Sequence, residues 1–163
     1  MAASAGYRSV MEPREDGAVW RPRVIIVGID GSEQSIRAAG IAADLARCND
    51  AELHLVTVVR PPEGWWGIVG APPPADVLAS SMSEAQRLIL DTAVDQLDLE
   101  GLTWEASEEI GEPASALADK CRDLEADVLV VGRRGAGIVE RLVMGSVADR
   151  VAHYAPCPVL VVP

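Results

Sequence analysis

Lysine is nearly absent from this chain: Lys120 stands alone among 163 residues. No GxxxxGK[ST] phosphate loop can be written from such a sequence, and no lysine falls where a kinase or a Schiff-base enzyme needs one. Cysteine is scarce as well. Cys48, Cys121 and Cys157 are odd in number and far apart, with no CxxC pair, so neither a zinc site nor a disulfide framework is indicated. They read as three small buried thiols. His54 lies in an apolar strand and His153 on a helix, and neither has a Cys or His at ligand spacing. A metal centre is not expected. Long hydrophobic runs are missing too, since none approaches the roughly 18 residues that cross a bilayer. The N-terminus lacks the basic-then-apolar plan of a signal peptide. The expectation is a cytoplasmic protein with no membrane contact.

Hydrophobic residues make up 49% of the chain, and the formal net charge is −11. The apolar share supports a sizeable core, and the length suits one domain with a short appendage. Residues 1–21 mix Ala, Ser, Gly, Pro and charges without periodicity and read as a flexible leader, leaving 22–163 as the domain. So acidic a chain is not expected to bind nucleic acid, because phosphate contacts need a basic field. Any phosphate-bearing ligand needs locally reversed charge. The window from 132 to 146 holds Arg133, Arg134 and Arg141 against Glu140 alone. These arginines either offset phosphate or merely solubilise a loop.

Strand and helix signals alternate along the domain. Arg23–Ile29 is a β-branched run of the kind buried on both faces. Asp30-Gly31-Ser32 then turns the chain, with Ser32 a good helix N-cap. Ile36, Ala39, Gly40, Ala43 and Ala46 recur at helical spacing, and Leu53–Val59 is a second strand. A long loop punctuated by Pro and Gly follows, carrying Trp65 and Trp66 on the ligand side of the sheet, where it reads as a cover or a partner surface. Leu78, Met82, Ala85, Leu88, Ile89, Ala93 and Leu97 mark an amphipathic helix, and 102–110 a polar strand suited to an edge. Pro113 opens the next helix, whose buried face carries Leu117, Ala118, Cys121 and Leu124. Asp127–Val131 is the fourth strand, Ser146–Tyr154 a helix, and 158–163 the fifth strand. The pattern predicts an α/β fold: a doubly wound, Rossmann-like, five-stranded parallel sheet in the order 3-2-1-4-5, with helices on both faces.

The fourth strand empties into Gly132-Arg133-Arg134-Gly135, and Gly145-Ser146 opens the helix beyond. Glycines let backbone N–H groups approach an anion closely, and a helix N-terminus adds unpaired donors. In such sheets ligands bind outside the carboxyl ends of the strands, where Asp30 and the glycine loop both hang. The glycines serve either a nucleotide phosphate or only tight turns, and Asp30 either orients a ligand or caps its own turn.

Four blocks in order resemble the universal stress protein family: Val27-Gly28-Ile29-Asp30-Gly31-Ser32, Asp127–Gly132, the Gly-x2-Gly-x9-Gly-Ser pattern, and Pro156–Val162. The full glycine pattern resembles the ATP-binding branch. That resemblance implies ATP as ligand, with or without Mg2+, and a homodimer paired through strand 159–162 with separate nucleotide sites. It also implies positions: Ile29 and Asp30 near adenine and ribose, and Val58 lining the adenine slot. Val131, Gly132 and Gly135 fall at ribose and phosphates, and Gly145, Ser146 and Val147 at the phosphate end. Arg133 fills a place that is usually small and polar, and either anchors phosphate or points to solvent. A cyclic AMP binder, and an interaction module of the same fold without nucleotide, remain as alternatives.

Enzymatic readings lack their residues. There is no Ser-Gly-Gly-x-Asp-Ser loop for an ATP pyrophosphatase, no GxSxG elbow, and no base beside Ser146 for phosphoryl transfer. Slow ATP hydrolysis or autophosphorylation is the most chemistry these motifs support.

Overall fold

In the computed structural model, residues 20–60, 75–135 and 144–163 are described. The strands are β1 (Val24–Ile29), β2 (Glu52–Val59), β3 (Trp104–Ile110), β4 (Val128–Gly132) and β5 (Val159–Val162). Between them run α1 (Glu33–Asn49), α2 (Ala75–Gln96), α3 (Pro113–Asp123) and α4 (Ser146–Tyr154). All pairings are parallel, and the order is β3-β2-β1-β4-β5. The predicted topology is therefore the observed one.

Alternation along the central strands divides the core in two. Ile25, Val27, Leu53, Leu55, Val128 and Val130 face α1 and α2, while Ile26, Val56, Leu129 and Val131 face α3 and α4. Burying each such side chain stabilises the fold by roughly 1.5–3 kcal/mol relative to exposure. Small residues set how closely the helices approach: α1 presents Ala38, Ala39, Ala42, Ala43 and Ala46 to the sheet. Of the residues expected on the buried face of α2, Leu78, Met82 and Ala85 lie outside the described side chains. Among the described residues Leu90 and Ala93 are buried, whereas Leu88 is 68% exposed, lying on the opposite side of the helix from both.

Two devices fix the register at the start of the sheet. The Asp127 carboxylate accepts the N–H groups of Arg23 (2.7 Å) and Val24 (3.1 Å), tying the head of β1 to that of β4. Glu52 N–H donates to the Arg23 carbonyl at 2.8 Å. β3 and β5 form the two edges. β5 runs along β4 from Leu129–Val159 to Gly132–Val162, and its Leu160 is partly exposed.

Candidate functional site

At the end of β1 the chain must reverse into α1, and the sequence Asp-Gly-Ser does so. Gly31 sits at φ 80°, a left-handed conformation that costs glycine little. Ser32 caps α1, its Oγ accepting from Ser35 N–H at 3.2 Å. Asp30 shapes the same turn: one carboxylate oxygen accepts the Ser32 N–H (3.0 Å) and hydroxyl (2.6 Å). The turn-forming role of Asp30 is thus present, and it occupies Oδ1 of the carboxylate.

Beside this turn, past the carboxyl ends of β1, β2 and β4, lies a cavity of about 620 Å³. Ile29, Asp30, Val58, Val131, Gly132, Arg133, Gly135, Gly145, Ser146 and Val147 all line it. These are the ten residues singled out above, drawn together from β1, β2, β4 and α4. Arg141, Trp65 and Trp66 lie outside the described residues. The lining also holds Arg134, one of the arginines weighed above for phosphate, and seven residues not expected at a site: Gly28, Ser35, Val56, Arg60, Pro113, Leu117 and Ala148. Val56 was legible, being two residues before Val58 on the same strand face. Pro113 and Leu117 were not, because nothing local places α3 over the end of β2.

The cavity has an apolar end and an electropositive end. Val56, Val58, Leu117 and Val131 supply the first. Arg133 and Arg134 supply the second, and with Arg60 they stand against Asp30, the one carboxylate in the described lining. The acidic chain therefore carries locally reversed charge where its glycine loop lies. Arg133 does not simply point to solvent: its Nε, like that of Arg134, is buried without a hydrogen-bond partner among the described residues. Buried donors left unpaired are costly, so each is a place where an acceptor is favoured.

The α4 N-terminus opens into this end. Ser32 caps α1 and Glu112 caps α3 through their side chains, but the N-cap of α4 is Gly145, which has no side chain to offer. The first-turn N–H groups of Ser146, Val147 and Ala148 have no helical partners, and all three residues line the cavity. Gly145 N–H itself is used, donating to the Arg133 carbonyl at 2.8 Å and so pinching the loop shut at its base. Gly132 also has a structural duty. A Cβ there would stand 3.0 Å from the Gln34 carbonyl carbon, so its bareness lets α1 pack on β4.

Glu112 braces the rim. Its Oε2 accepts from Ser115 N–H (3.0 Å) and Oγ (3.1 Å), while Oε1 lies 2.9 Å from Arg150 Nη1 and 3.5 Å from Arg60 Nη2. Burial disfavours its charge. The N–H groups of Ser115 and Ala114, the Ser115 hydroxyl and the Arg150 charge outweigh that, holding the carboxyl below the usual range.

Away from the cavity, two expectations change. The thiols are not uniformly buried: Cys121 is, but Cys157 is half-buried and Cys48 exposed at the end of α1. His54 is not isolated. Its Nε2 lies 3.1 Å from Glu52 and its Nδ1 3.6 Å from Glu105, since Glu52 shares its strand face and Glu105 is its register partner on β3. A search for Cys and His spacing overlooks carboxylates brought in across strands. Among the described residues, these three form the one cluster of metal-ligating type. A second cavity, of about 610 Å³, lies between α2 and β3 around Leu90, Val94 and Trp104. Its described lining includes neither a helix N-terminus nor a glycine loop. No described helix is long and apolar enough to cross a membrane.

Comparison with known proteins agrees with this architecture. The sequence profile of the universal stress protein family matches residues 22–163. A universal stress protein of Synechocystis sp. is 31% identical over 152 residues, covering 92% of this chain and 91% of its own length. One from Methanocaldococcus jannaschii is 32% identical over 145 residues, covering 85% and 80%. Among solved structures, a universal stress protein in complex with cAMP is similar with TM-score 0.68 at 29% identity, covering 88% of this chain and 99% of the other. UspA from Lactobacillus plantarum has TM-score 0.72 at 22% identity, covering 89% and 100%, a likeness of fold. Since the matched segment contains the whole sheet and all the described residues of the cavity, the chain belongs to the universal stress protein family.

Proposed function

We propose that this protein binds an adenine nucleotide, with ATP the leading ligand, in the cavity beyond β1, β2 and β4. In this reading it acts as a cytoplasmic, homodimeric regulatory protein of the stress response, with binding rather than catalysis as its activity. Residues 22–163 constitute the nucleotide-binding domain, with 1–21 an appendage. The observation that carries the reading is the uncapped N-terminus of α4, aimed into a cavity also lined by Arg133 and Arg134, whose buried Nε atoms have no hydrogen-bond partner among the described residues. Donors so arranged favour an anion with several oxygens. The apolar end, lined by Val56, Val58, Leu117 and Val131, suits a flat base. Gly132 and Gly145 keep the loop close to its neighbours, and Asp30 orients the ribose. With Asp30 the one carboxylate in the described lining, a Mg2+ ion arriving with ATP takes most of its ligands from phosphate and water.

A second reading is a cyclic AMP site, and a specific observation favours it: the 29% identical relative was solved with cAMP. Calorimetric titration with ATP, ADP, AMP and cAMP separates the two. ATP binding tightest, with affinity falling as salt is raised, is the expected result. A clear preference for cAMP moves the assignment to the second reading. No measurable binding of any of the four leaves a dimerisation module of the same fold.

A further inference from the structure

β2 and β3 bring together a group of side chains that the cavity does not use. His54 lies on the face of β2 that carries Val56, and only 4% of it is exposed. Glu52 precedes it by two residues on the same face, and Glu105 is its register partner on the edge strand β3. The three side chains thus form a corner with the imidazole at its apex. Glu52 and Glu105 are 46% and 67% exposed, so packing fixes the imidazole while both carboxylates open to solvent. One ligand-type atom from each residue lies within 4.8 Å of the other two.

The two carboxylates stand at different distances, and the difference separates their roles. Nε2 lies 3.1 Å from Glu52 Oε1, within the range of an N–H···O contact. Nδ1 lies 3.6 Å from Glu105 Oε2, too far for a hydrogen bond. It is instead the separation of two ligands on a shared cation, since atoms each about 2.1 Å from a tetrahedral Zn2+ stand about 3.4 Å apart. With its proton on Nε2, towards Glu52, the neutral ring carries its lone pair on Nδ1, facing a second anion. A carboxylate that steadies one imidazole nitrogen while the other binds metal is the usual support of a histidine ligand.

We propose that a first-row divalent metal ion, Zn2+ foremost, binds between His54 Nδ1 and Glu105, with Glu52 orienting the ring and water completing the shell. An imidazole in the ligand set suits Zn2+ better than Mg2+ or Ca2+, which take oxygen ligands. Acidic residues outnumber Lys and Arg by 25 to 14, so the field of the chain draws cations towards the exposed carboxylates. The ion joins residues of two strands, and so pins the edge strand β3 to β2 near their amino ends, away from the nucleotide cavity.

The test adds zinc chloride to the metal-free full chain, without nucleotide, and follows the imidazole signals of its two histidines by NMR. Expected are a saturable shift of the His54 ring signals, none comparable at His153, and reversal by EDTA. The melting temperature should rise by about 5–10 °C at a Zn2+ concentration of about 100 times the Kd. Glu105→Gln, a change at an exposed position, should keep the metal-free melting temperature and remove that rise. Glu52→Gln should weaken Zn2+ by about 10–100-fold. Wild-type Zn2+ affinity in Glu105→Gln, or saturation that leaves His54 unshifted, overturns the proposal. So does the lack of any saturable shift up to about 1 mM Zn2+.

Discussion

Gly135 and Asp30 meet so closely that a Cβ on Gly135 would overlap the Asp30 carboxylate. The loop after β4 is thereby locked onto the turn after β1, and the two halves of the cavity are set by one contact. Gly135→Ala must swing Asp30 aside, straining its hydrogen bonds to Ser32. The variant should remain folded, melt a few degrees lower and bind ATP about tenfold more weakly, a loss of roughly 1.4 kcal/mol. Wild-type affinity and melting temperature together would mean that this contact yields without consequence.

Asp30 serves the turn through Oδ1, so removing it affects more than ligand orientation. Asp30→Ala should lower stability by about 1 kcal/mol, as loss of such a cap does, and weaken ATP about ten- to a hundredfold. Asp30→Asn separates the duties, since the amide oxygen still accepts from Ser32 while the charge is gone. It should keep the wild-type melting temperature and lose affinity. Unchanged ATP binding in Asp30→Asn would remove the Asp30 charge from ligand binding.

The strand order was legible from the alternation of strand and helix signals, and the ten cavity residues from the family resemblance. A parallel sheet puts every strand's carboxyl end on one side, so motifs such as Asp30-Gly31 and Gly132-Arg133 converge without knowledge of side-chain packing. What stayed hidden depends on tertiary placement. Arg60 and Leu117 reach the cavity only because β2 ends and α3 begins there. Glu105 meets His54 through strand register. Gly132 shows the converse: its place in the motif pointed to an anion, while its missing side chain makes room for Gln34.

Glu112 gives a pH dependence. Its carboxyl is lowered in the folded protein, so its contribution is complete above the ordinary value of 4.5 and is lost as pH falls through the lowered one. Glu112→Gln should cost about 0.5–2 kcal/mol at pH 7 by weakening the cap and releasing Arg150. Thermal melts from pH 8 to pH 3 should show the wild-type advantage steady near neutrality and shrinking below 4.5. An advantage that persists undiminished at pH 3 would remove ionised Glu112 from the account.

The edge strand β5 bears on assembly. Val159–Val162 is short and apolar, with Leu160 39% exposed, and such an edge invites pairing with a second copy. Sedimentation at micromolar concentration should give a dimer, retained after deletion of residues 1–20. Leu160→Pro, which removes a backbone donor, should give monomer or insoluble protein. A wild-type chain that sediments as a monomer contradicts the dimer.

Backbone amide shifts during an ATP titration test the central claim most directly, because they report on the donors held to receive the phosphates. The account predicts saturable shifts at Ser146, Val147 and Ala148, together with the side-chain Nε–H signals of Arg133 and Arg134. Shifts confined to the α2–β3 cavity around Val94 and Trp104, or no saturable shifts at all, would contradict it.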